Sequence, residues 1–332
     1  MITFFFRCMG MSAVFSAVCL SAQEIHESKD DFLVQSLDAS YARGIEYLAT
    51  SQGSDGMWTE NPYGDQAGVL GMAILAFISR GDDAEFGPFS KAISKALNAM
   101  LIQQDSKTGF VGSTMYNHGF ACLALAELYG TLNDERIGPA LQKAVSLIIS
   151  AANKNPQNAW RYYPDSNDFD TTVSGTQLVA LFAARNAGIE VPKDTIEKAL
   201  KSMINCQDSK GGFGYSSSTG ANLPRTSIGS LVLSLAQKTE TEAYRKSLIY
   251  LQKNAEYGDQ AHKYYSLYYT AQAMFRASPE LWNKWNAKNV RILLDSQQKD
   301  GSWRGNHGVT FSTCSALLSM ALNYRYLPIY ER

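Results

Sequence analysis

A motif that recurs about every fifty residues is the feature that most constrains this chain. Each copy has an apolar helical stretch, a Gln, about three further residues, a Gly and then an aromatic residue. The copies begin at Gln52, Gln104, Gln207 and Gln297, with a degenerate copy at Asn153. The anchors at 52, 104, 153 and 207 are 52, 49 and 54 residues apart, and Gln252 falls in the middle of the longer last gap. A regular period of this size predicts a repeat protein of six units.

Each unit holds two helical stretches of different character. The stretch before the motif is amphipathic, as in residues 194–205 and 287–297. The stretch after the motif is almost uncharged, as in residues 66–79, 171–184 and 310–322, which is typical of a helix buried on most sides. We therefore predict an all-α fold with amphipathic helices outside and apolar helices inside. The motif Gly is expected to take a left-handed conformation at the end of the outer helix. We expect the aromatic residue to pack on the neighbouring unit, with the Gln amide against it.

The terminal units indicate whether the array is open or closed. An open solenoid needs atypical polar repeats as caps at both ends. In this chain the first and last units carry the most complete motifs, which end in Trp58 and Trp303. We therefore predict a closed α/α toroid of six helix pairs, in which twelve helices form inner and outer layers around a central cavity. One domain covers residues 23–332, with both tryptophans buried and residues 40–60 in contact with residues 290–325.

Residues 1–22 have the layout of a secretory signal peptide. Arg7 precedes an apolar stretch that ends in small residues, and Leu20-Ser21-Ala22 is a possible cleavage site. We expect cleavage before Gln23 and export to the periplasm or the extracellular space. An uncleaved anchor and lipidation at Cys19 are the alternatives.

Composition excludes several classes of function. Hydrophobic residues make up 45% of the chain and the net charge is −1, so a nucleic-acid-binding surface has no electrostatic support. Beyond the N-terminus, no apolar run reaches the length of a transmembrane span. Cys122, Cys206 and Cys314 lie far apart in apolar segments, which predicts buried free thiols. No zinc-ligand pair is present, so we predict neither a metal site nor a cofactor.

The Gln-x-x-x-Gly-x-Trp motifs resemble those of the prenyltransferase and squalene-cyclase repeat family, over roughly residues 40–332. Segments 116–119, 170–175 and 324–328 are similar to uncharacterised, exported, single-toroid bacterial members. The resemblance implies an α/α toroid, whereas activity does not follow from the fold. The run Asp168-Phe169-Asp170-Thr171-Thr172 resembles the cyclase acid motif Asp-x-Asp-Asp-Thr. On that match Asp170 takes the place of the proton-donating acid, and Thr171 stands where the family has a third acid.

In such a toroid the N-termini of the inner helices gather at the mouth of the cavity, so polar residues there are the candidates for a site. The predicted catalytic residues are Asp170, His118 and Asp168. The predicted substrate-binding residues are Asp65, Tyr116, Arg225, Lys263, Tyr264, Tyr268 and His307, and His262 is a further polar candidate. Several have a structural alternative, and Arg225 and Lys263 can simply cover helix ends. The two acids can cap a helix, His118 can bond to a carbonyl of the neighbouring unit, and the tyrosines can be core.

Three functions are compatible with these residues. The first is an exported cyclase-like enzyme that performs acid–base chemistry on a small-molecule or oligomeric ligand in the cavity, led by Asp170 and His118. The second is a carbohydrate-active lyase or hydrolase, which needs a carboxylate pair or a base with an arginine, for which Asp168, Asp170 and Arg225 qualify. The third is a non-catalytic binding or scaffold protein. A cavity with aromatic walls and one deep acid would favour the cyclase-like enzyme. Polar walls with paired carboxylates would favour the carbohydrate-active enzyme, and a filled centre would favour the scaffold.

Overall fold

A computed structural model describes residues 31–59, 62–255 and 261–330. The predicted signal peptide, residues 1–22, lies outside the described residues. Within them the chain forms twelve α-helices and no strand, which confirms the all-α class. The helices are α1 (Asp31–Ser51), α2 (Ala67–Ile78), α3 (Ser90–Ile102), α4 (Met115–Leu128), α5 (Ile137–Lys154), α6 (Thr171–Asn186), α7 (Lys193–Ile204), α8 (Leu223–Leu235), α9 (Glu242–Asn254), α10 (Lys263–Ala277), α11 (Pro279–Ser296) and α12 (Val309–Ala321).

Helices alternate between two concentric layers, as the sequence predicted. The even-numbered helices are inner, and α2 is buried along its whole length. The odd-numbered helices are outer and amphipathic. On α7, for example, Ile196, Ala199, Leu200 and Met203 form the buried face. The spacing of three and four residues places these side chains on one side of the helix, where they cover the inner layer.

The inner helices form a ring. Each even-numbered helix packs on the next one, and α12 packs on α2. The outer helix α1 contacts both α11 and α12, so the first and last units are neighbours. Trp58 and Trp303 are both buried, as expected. These contacts fit the predicted closed ring rather than an open array.

The motif glutamines tie each outer helix to the following one. Gln52 Nε2 donates to the Gly56 carbonyl in its own loop and to the Ala92 carbonyl of α3, both at 3.0 Å. Gln104 and Gln207 repeat this pattern on α5 and α9. The amide therefore bonds to two backbone carbonyls and not to the motif aromatic, which corrects the expectation from sequence. A side-chain amide is suited to this position because its NH₂ group has two donors.

Gln297 makes the same bridge across the point where the ring closes. Its Nε2 donates to the Gly301 carbonyl and to the Ser40 carbonyl of α1, both at 2.9 Å. Gly301 has a φ of +90°, and a Cβ at this residue would lie 2.4 Å from the carbonyl oxygen of Arg43. Only glycine adopts this conformation readily and permits so close an approach. Trp303 then donates its indole N–H to the Leu293 carbonyl at 2.8 Å.

Two of the six units lack the glutamine bridge. Asn153 lies inside α5, and buried Asn155 holds the loop instead by donating to the carbonyls of Ser166 and Asp168. Gln252 is an exposed residue of α9. The helix pairs of these units are present as predicted, but the anchor residues assigned to them were wrong.

The apolar helices are core elements of the ring. No helix within the described ranges is both long enough and apolar enough to cross a bilayer. Cys122, Cys206 and Cys314 are buried free thiols, as predicted. Burial raises the pKa of the Cys122 and Cys314 thiols well above the usual value, so both stay protonated.

The bridge at Gln297 provides a test of ring closure. We expect Gln297→Ala and Gln104→Ala to lower the free energy of unfolding by similar amounts, about 1–3 kcal/mol each, because each leaves two carbonyls without their donor. The exposed Gln252→Ala is the matched control and should have little effect. Chemical denaturation of the three variants checks this. An open array would leave Gln297 only its local bond to Gly301, so Gln297→Ala would then cost clearly less than Gln104→Ala.

Candidate functional site

A cavity of about 610 Å³ lies at the end of the ring where the inner helices begin. Its volume falls in the range of small-molecule sites, about 300–1,000 Å³. Every inner helix, or the loop before it, contributes to the lining. The aromatic lining residues are Tyr63, Tyr116, Phe120, Tyr162, Tyr215, Tyr265 and Phe311. The uncharged polar ones are Gln66, Ser113, Thr114, Asn117, Thr172 and Asn222, and the basic or titratable ones are Arg225, His262 and His307.

No carboxylate within the described ranges lines this cavity. Asp170 is fully buried at the start of α6, where Oδ1 accepts hydrogen bonds from the backbone N–H groups of Thr172 and Val173 at 2.9 and 2.8 Å. The Thr172 hydroxyl donates to the same oxygen at 2.7 Å. Asp170 therefore caps α6, which was the structural alternative to a catalytic role. Thr172, and not Asp170, lines the cavity.

Arg161 binds the two acids of the predicted catalytic motif. Its Nη1 lies 3.1 Å from Asp168 Oδ2, and its Nε lies 3.7 Å from Asp170 Oδ2. Burial raises the pKa of Asp170, while the hydrogen bond from Val173 and the charge of Arg161 act in the opposite direction. Asp168 is exposed outside the cavity lining. The carboxylate pair is therefore engaged by Arg161 and does not face the cavity.

Tyr116 connects the buried acid to the cavity. Its hydroxyl donates to the Thr172 hydroxyl, which in turn donates to Asp170. Burial, followed by the charge of Asp170, raises the pKa of Tyr116 far above its ordinary value. Tyr116 therefore stays protonated, and Thr172 holds its hydroxyl group at the cavity lining.

His118 has a structural role, so its assignment as a catalytic residue was wrong. The ring is fully buried, its Nδ1 accepts the Val111 backbone N–H at 3.0 Å, and its Nε2 donates to the Ala144 carbonyl of α5 at 3.0 Å. Burial lowers the pKa of His118 to about 4, which agrees with a neutral ring whose Nδ1 must remain an acceptor. Ala144 belongs to the next unit, so the histidine is satisfied by a neighbouring carbonyl.

A polar side chain at the position of His118 accepts a backbone N–H of the motif loop in this unit and in three others. In three other units a hydroxyl accepts a backbone N–H of the motif loop: Ser174 from Trp160, Thr226 from Phe213 and Thr313 from Trp303. His118 is the equivalent acceptor in the second unit. There Val111 takes the buried place of the motif aromatic, and Phe110 is only partly buried, its ring 5.5 Å from that of His118.

Two further histidines line the cavity mouth, His262 just before α10 and His307 just before α12. His262 Nδ1 and His307 Nε2 are 2.8 Å apart and share a hydrogen bond. Burial, together with the nearby His262, lowers the pKa of His307, which favours its neutral form. Both residues also border a smaller adjoining pocket of about 130 Å³.

The remaining predicted residues are divided among several environments. Lys263 and Tyr264 line the smaller pocket, with the Lys263 Nζ 5.1 Å from the centre of the Tyr264 ring. Tyr268 is core, packed against Phe120 and Tyr269. Asp65 is exposed and outside the cavity lining. Of the candidates from sequence, the structure places Tyr116, Arg225, His262 and His307 together around the main cavity.

Sequence reasoning missed Tyr162 and Tyr215, two aromatic residues of the lining. Their hydroxyl oxygens are 2.6 Å apart, and the Arg161 guanidinium lies 5.1 and 5.0 Å from the two ring centres. Tyr162 and Tyr215 each stand two residues after the motif aromatic, at Trp160 and Phe213. An alignment of the units on that aromatic residue would have revealed this shared position.

The fold and its cavity define the chain as an α/α toroid, and solved structures support this class. The apo form of the type II terpene cyclase MstE from Scytonema is 14% identical, with a TM-score of 0.60 over 89% of this chain and 99% of that one. The α-1,6-mannanase GH76A of Salegentibacter sp. HEL1_6 is 10% identical, with a TM-score of 0.66 over 87% and 98%. At these identities the likeness establishes the fold alone.

The chain belongs to the family described as a domain of unknown function (DUF6288), whose model matches residues 38–313. No curated protein matches the chain. The resemblance to cyclases therefore holds at the level of the toroid, and the family that matches is this one rather than the prenyltransferase and squalene-cyclase repeat family.

The buried His118 makes stability depend on pH. A histidine whose pKa falls on folding binds protons more strongly in the unfolded chain, so its contribution to stability is lost as the pH drops from about 6.5 towards 4. We expect the difference in unfolding free energy between wild type and His118→Gln to shrink over this range by about 2–3 kcal/mol. Denaturant titrations at several pH values check this. A constant difference would contradict the assignment of a neutral, buried ring.

Proposed function

We propose that the chain binds a small amphipathic organic molecule in its central cavity and acts on it by acid–base chemistry. The observation that carries this proposal is the open cavity of about 610 Å³ to which all six units contribute. A purely structural ring has no need of such a space, and a filled centre would have favoured a scaffold. Concave sites with apolar walls and a few convergent polar groups are the usual form of ligand pockets.

The lining supports an amphipathic ligand. Val69, Met72 and Phe120 lie within the first two turns of their helices and provide apolar surface to the cavity. At the mouth, Asn117 Nδ2 donates to Gln66 Oε1 at 3.1 Å, and these amides border the cavity. MstE was solved with geranylgeranyl dihydroxybenzoate and the mannanase with α-1,6-mannotetrose, so related folds hold both prenylated and sugar ligands.

An acid and a base face the cavity together. The proposed acid is the Tyr116 hydroxyl, which would turn from Thr172 towards a bound ligand. The proposed base is His307, whose lowered pKa favours its neutral, proton-accepting form. Such a pair can donate a proton and accept one within the same ligand complex. These residues replace Asp170 and His118 in the proposed chemistry, because Thr172 separates Asp170 from the cavity and both nitrogens of His118 are bonded.

A carbohydrate-active lyase is the second candidate function. The specific observation in its favour is that Arg225 lines the same cavity as Tyr116 and His307, which supplies a base with an arginine. The hydrolase alternative receives less support. Its carboxylate pair, Asp168 and Asp170, is engaged by Arg161 and lies outside the cavity lining.

Blocking the cavity mouth tests ligand binding. Ser113 is an exposed residue of the lining, whereas Ser94 is an exposed residue of the outer helix α3. We expect the neutral fluorescent probe N-phenyl-1-naphthylamine to bind wild type and Ser94→Trp with equal affinity, and Ser113→Trp at least tenfold more weakly. Native mass spectrometry would identify a retained natural ligand. Equal probe binding by both variants would contradict a ligand site in the cavity.

Once a turnover substrate is known, Tyr116→Phe and His307→Gln test the chemistry. Each is expected to lower kcat by roughly 10²–10⁴-fold, the usual contribution of one general acid or base. Full turnover by both variants would exclude the acid–base pair while leaving the binding proposal intact.

We also propose that the protein is exported. The proposal rests on the basic residue, apolar stretch and small residues within 1–22. Mature protein from the source organism is then expected to begin near Gln23 and to be found outside the cytoplasm. N-terminal sequencing that returns the intact start from a cytosolic fraction would refute export.

A further inference from the structure

We propose that the cavity ligand is an organic acid whose carboxylate is bound at the mouth by Arg225. This inference rests on the proposed ligand-binding function and adds the chemical class of the ligand. The argument starts from a contrast between two arginines that lie against the same ring. The guanidinium groups of Arg161 and Arg225 are each 5.0 Å from the centre of the Tyr215 ring.

The two arginines differ in how their charge is balanced. Arg161 has two carboxylate partners, Asp168 and Asp170. Arg225 donates to the Gly220 backbone carbonyl at 2.7 Å, and no carboxylate within the described ranges forms an ion pair with it. Since the cavity lining in those ranges holds no Asp or Glu, the charge of Arg225 faces the cavity without a protein counterion.

Arg225 is also held in place before any ligand binds. Its backbone N–H is bonded to the side chain of Asn222, the residue that caps α8. Its guanidinium is fixed between the Gly220 carbonyl and the Tyr215 ring, a cation–π contact that leaves other N–H donors of the group available. A planar guanidinium matches a carboxylate with two parallel hydrogen bonds, so a positioned arginine favours this group.

The N-termini of the inner helices add to the positive charge of Arg225 at the cavity. All six inner helices begin around the cavity, and each N-terminus carries a partial positive charge. None of the six has an acidic residue in its first turn. Asp170 caps α6, but Arg161 is its ion-pair partner, and the caps of α2, α4 and α8 are the uncharged Gln66, Thr114 and Asn222. Asp65, which accepts from Gln66, is exposed outside the lining. Among the described lining residues, Arg225 and these helix N-termini therefore favour an anionic ligand.

A matched pair of ligands tests the proposal. The probes are 1-naphthylacetate and its neutral amide, 1-naphthylacetamide, which share a ring system and differ in charge. We expect wild type to bind the acid at least tenfold more tightly than the amide at low ionic strength. Arg225→Gln should reduce this preference to less than threefold while leaving the affinity for the amide unchanged.

Arg245→Gln is the control variant. Arg245 likewise stands near the start of a helix and donates to a backbone carbonyl, that of Glu240, but it is exposed on the outer helix α9. It should retain the full preference for the acid. Equal binding of acid and amide by wild type, an unchanged preference in Arg225→Gln, or tighter binding of 1-naphthyl phosphate than of the acid would each overturn the carboxylate site. Binding of neither naphthyl probe would overturn cavity binding itself, and this inference with it.

Discussion

The structure depends on one repeated interaction, the side-chain amide of a motif glutamine between two backbone carbonyls. One carbonyl lies in the loop that follows an outer helix and the other lies on the next outer helix, so the bridge fixes the spacing between units. When Gln297 makes this bridge, the next outer helix is α1, at Ser40. The last unit then needs no cap, because the first unit covers it. Closure brings the starts of all inner helices around one cavity.

This arrangement divides the polar residues at the helix starts into two groups with different tasks. One group faces the motif loops and satisfies their backbone: His118, Ser174, Thr226 and Thr313. The other group lines the cavity and has unused hydrogen-bonding capacity, as in Arg225. Asp170 belongs to neither group: it caps α6, and its contact with Thr172 links it to the cavity lining. Residues of the second group are therefore the ones available to a ligand.

The fold could be predicted well from the sequence because the regular spacing of the motifs and of apolar residues specifies it. Helix layers, buried tryptophans and closure follow from repeated spacing and from intact terminal motifs. The site was harder to predict, because spacing places a residue near a helix start without settling which side it faces. His118 and Tyr116 are two residues apart, which corresponds to about 200° around a helix, so one faces the loop and the other the cavity. Tyr162 and Tyr215 lie in loops, where no helical period helps.

Amide hydrogen exchange tests the central claim, that the first and last units are one continuous wall, most directly. In a closed ring, loss of the Gln297 side chain removes a bond to α1, although α1 lies more than two hundred residues earlier in the sequence. Comparison of wild type with Gln297→Ala is therefore expected to show faster exchange in α1 and α11, with α5 and α6 little changed. Faster exchange confined to α11 and α12, with α1 fully protected, would contradict the closed ring and the shared cavity mouth that depends on it.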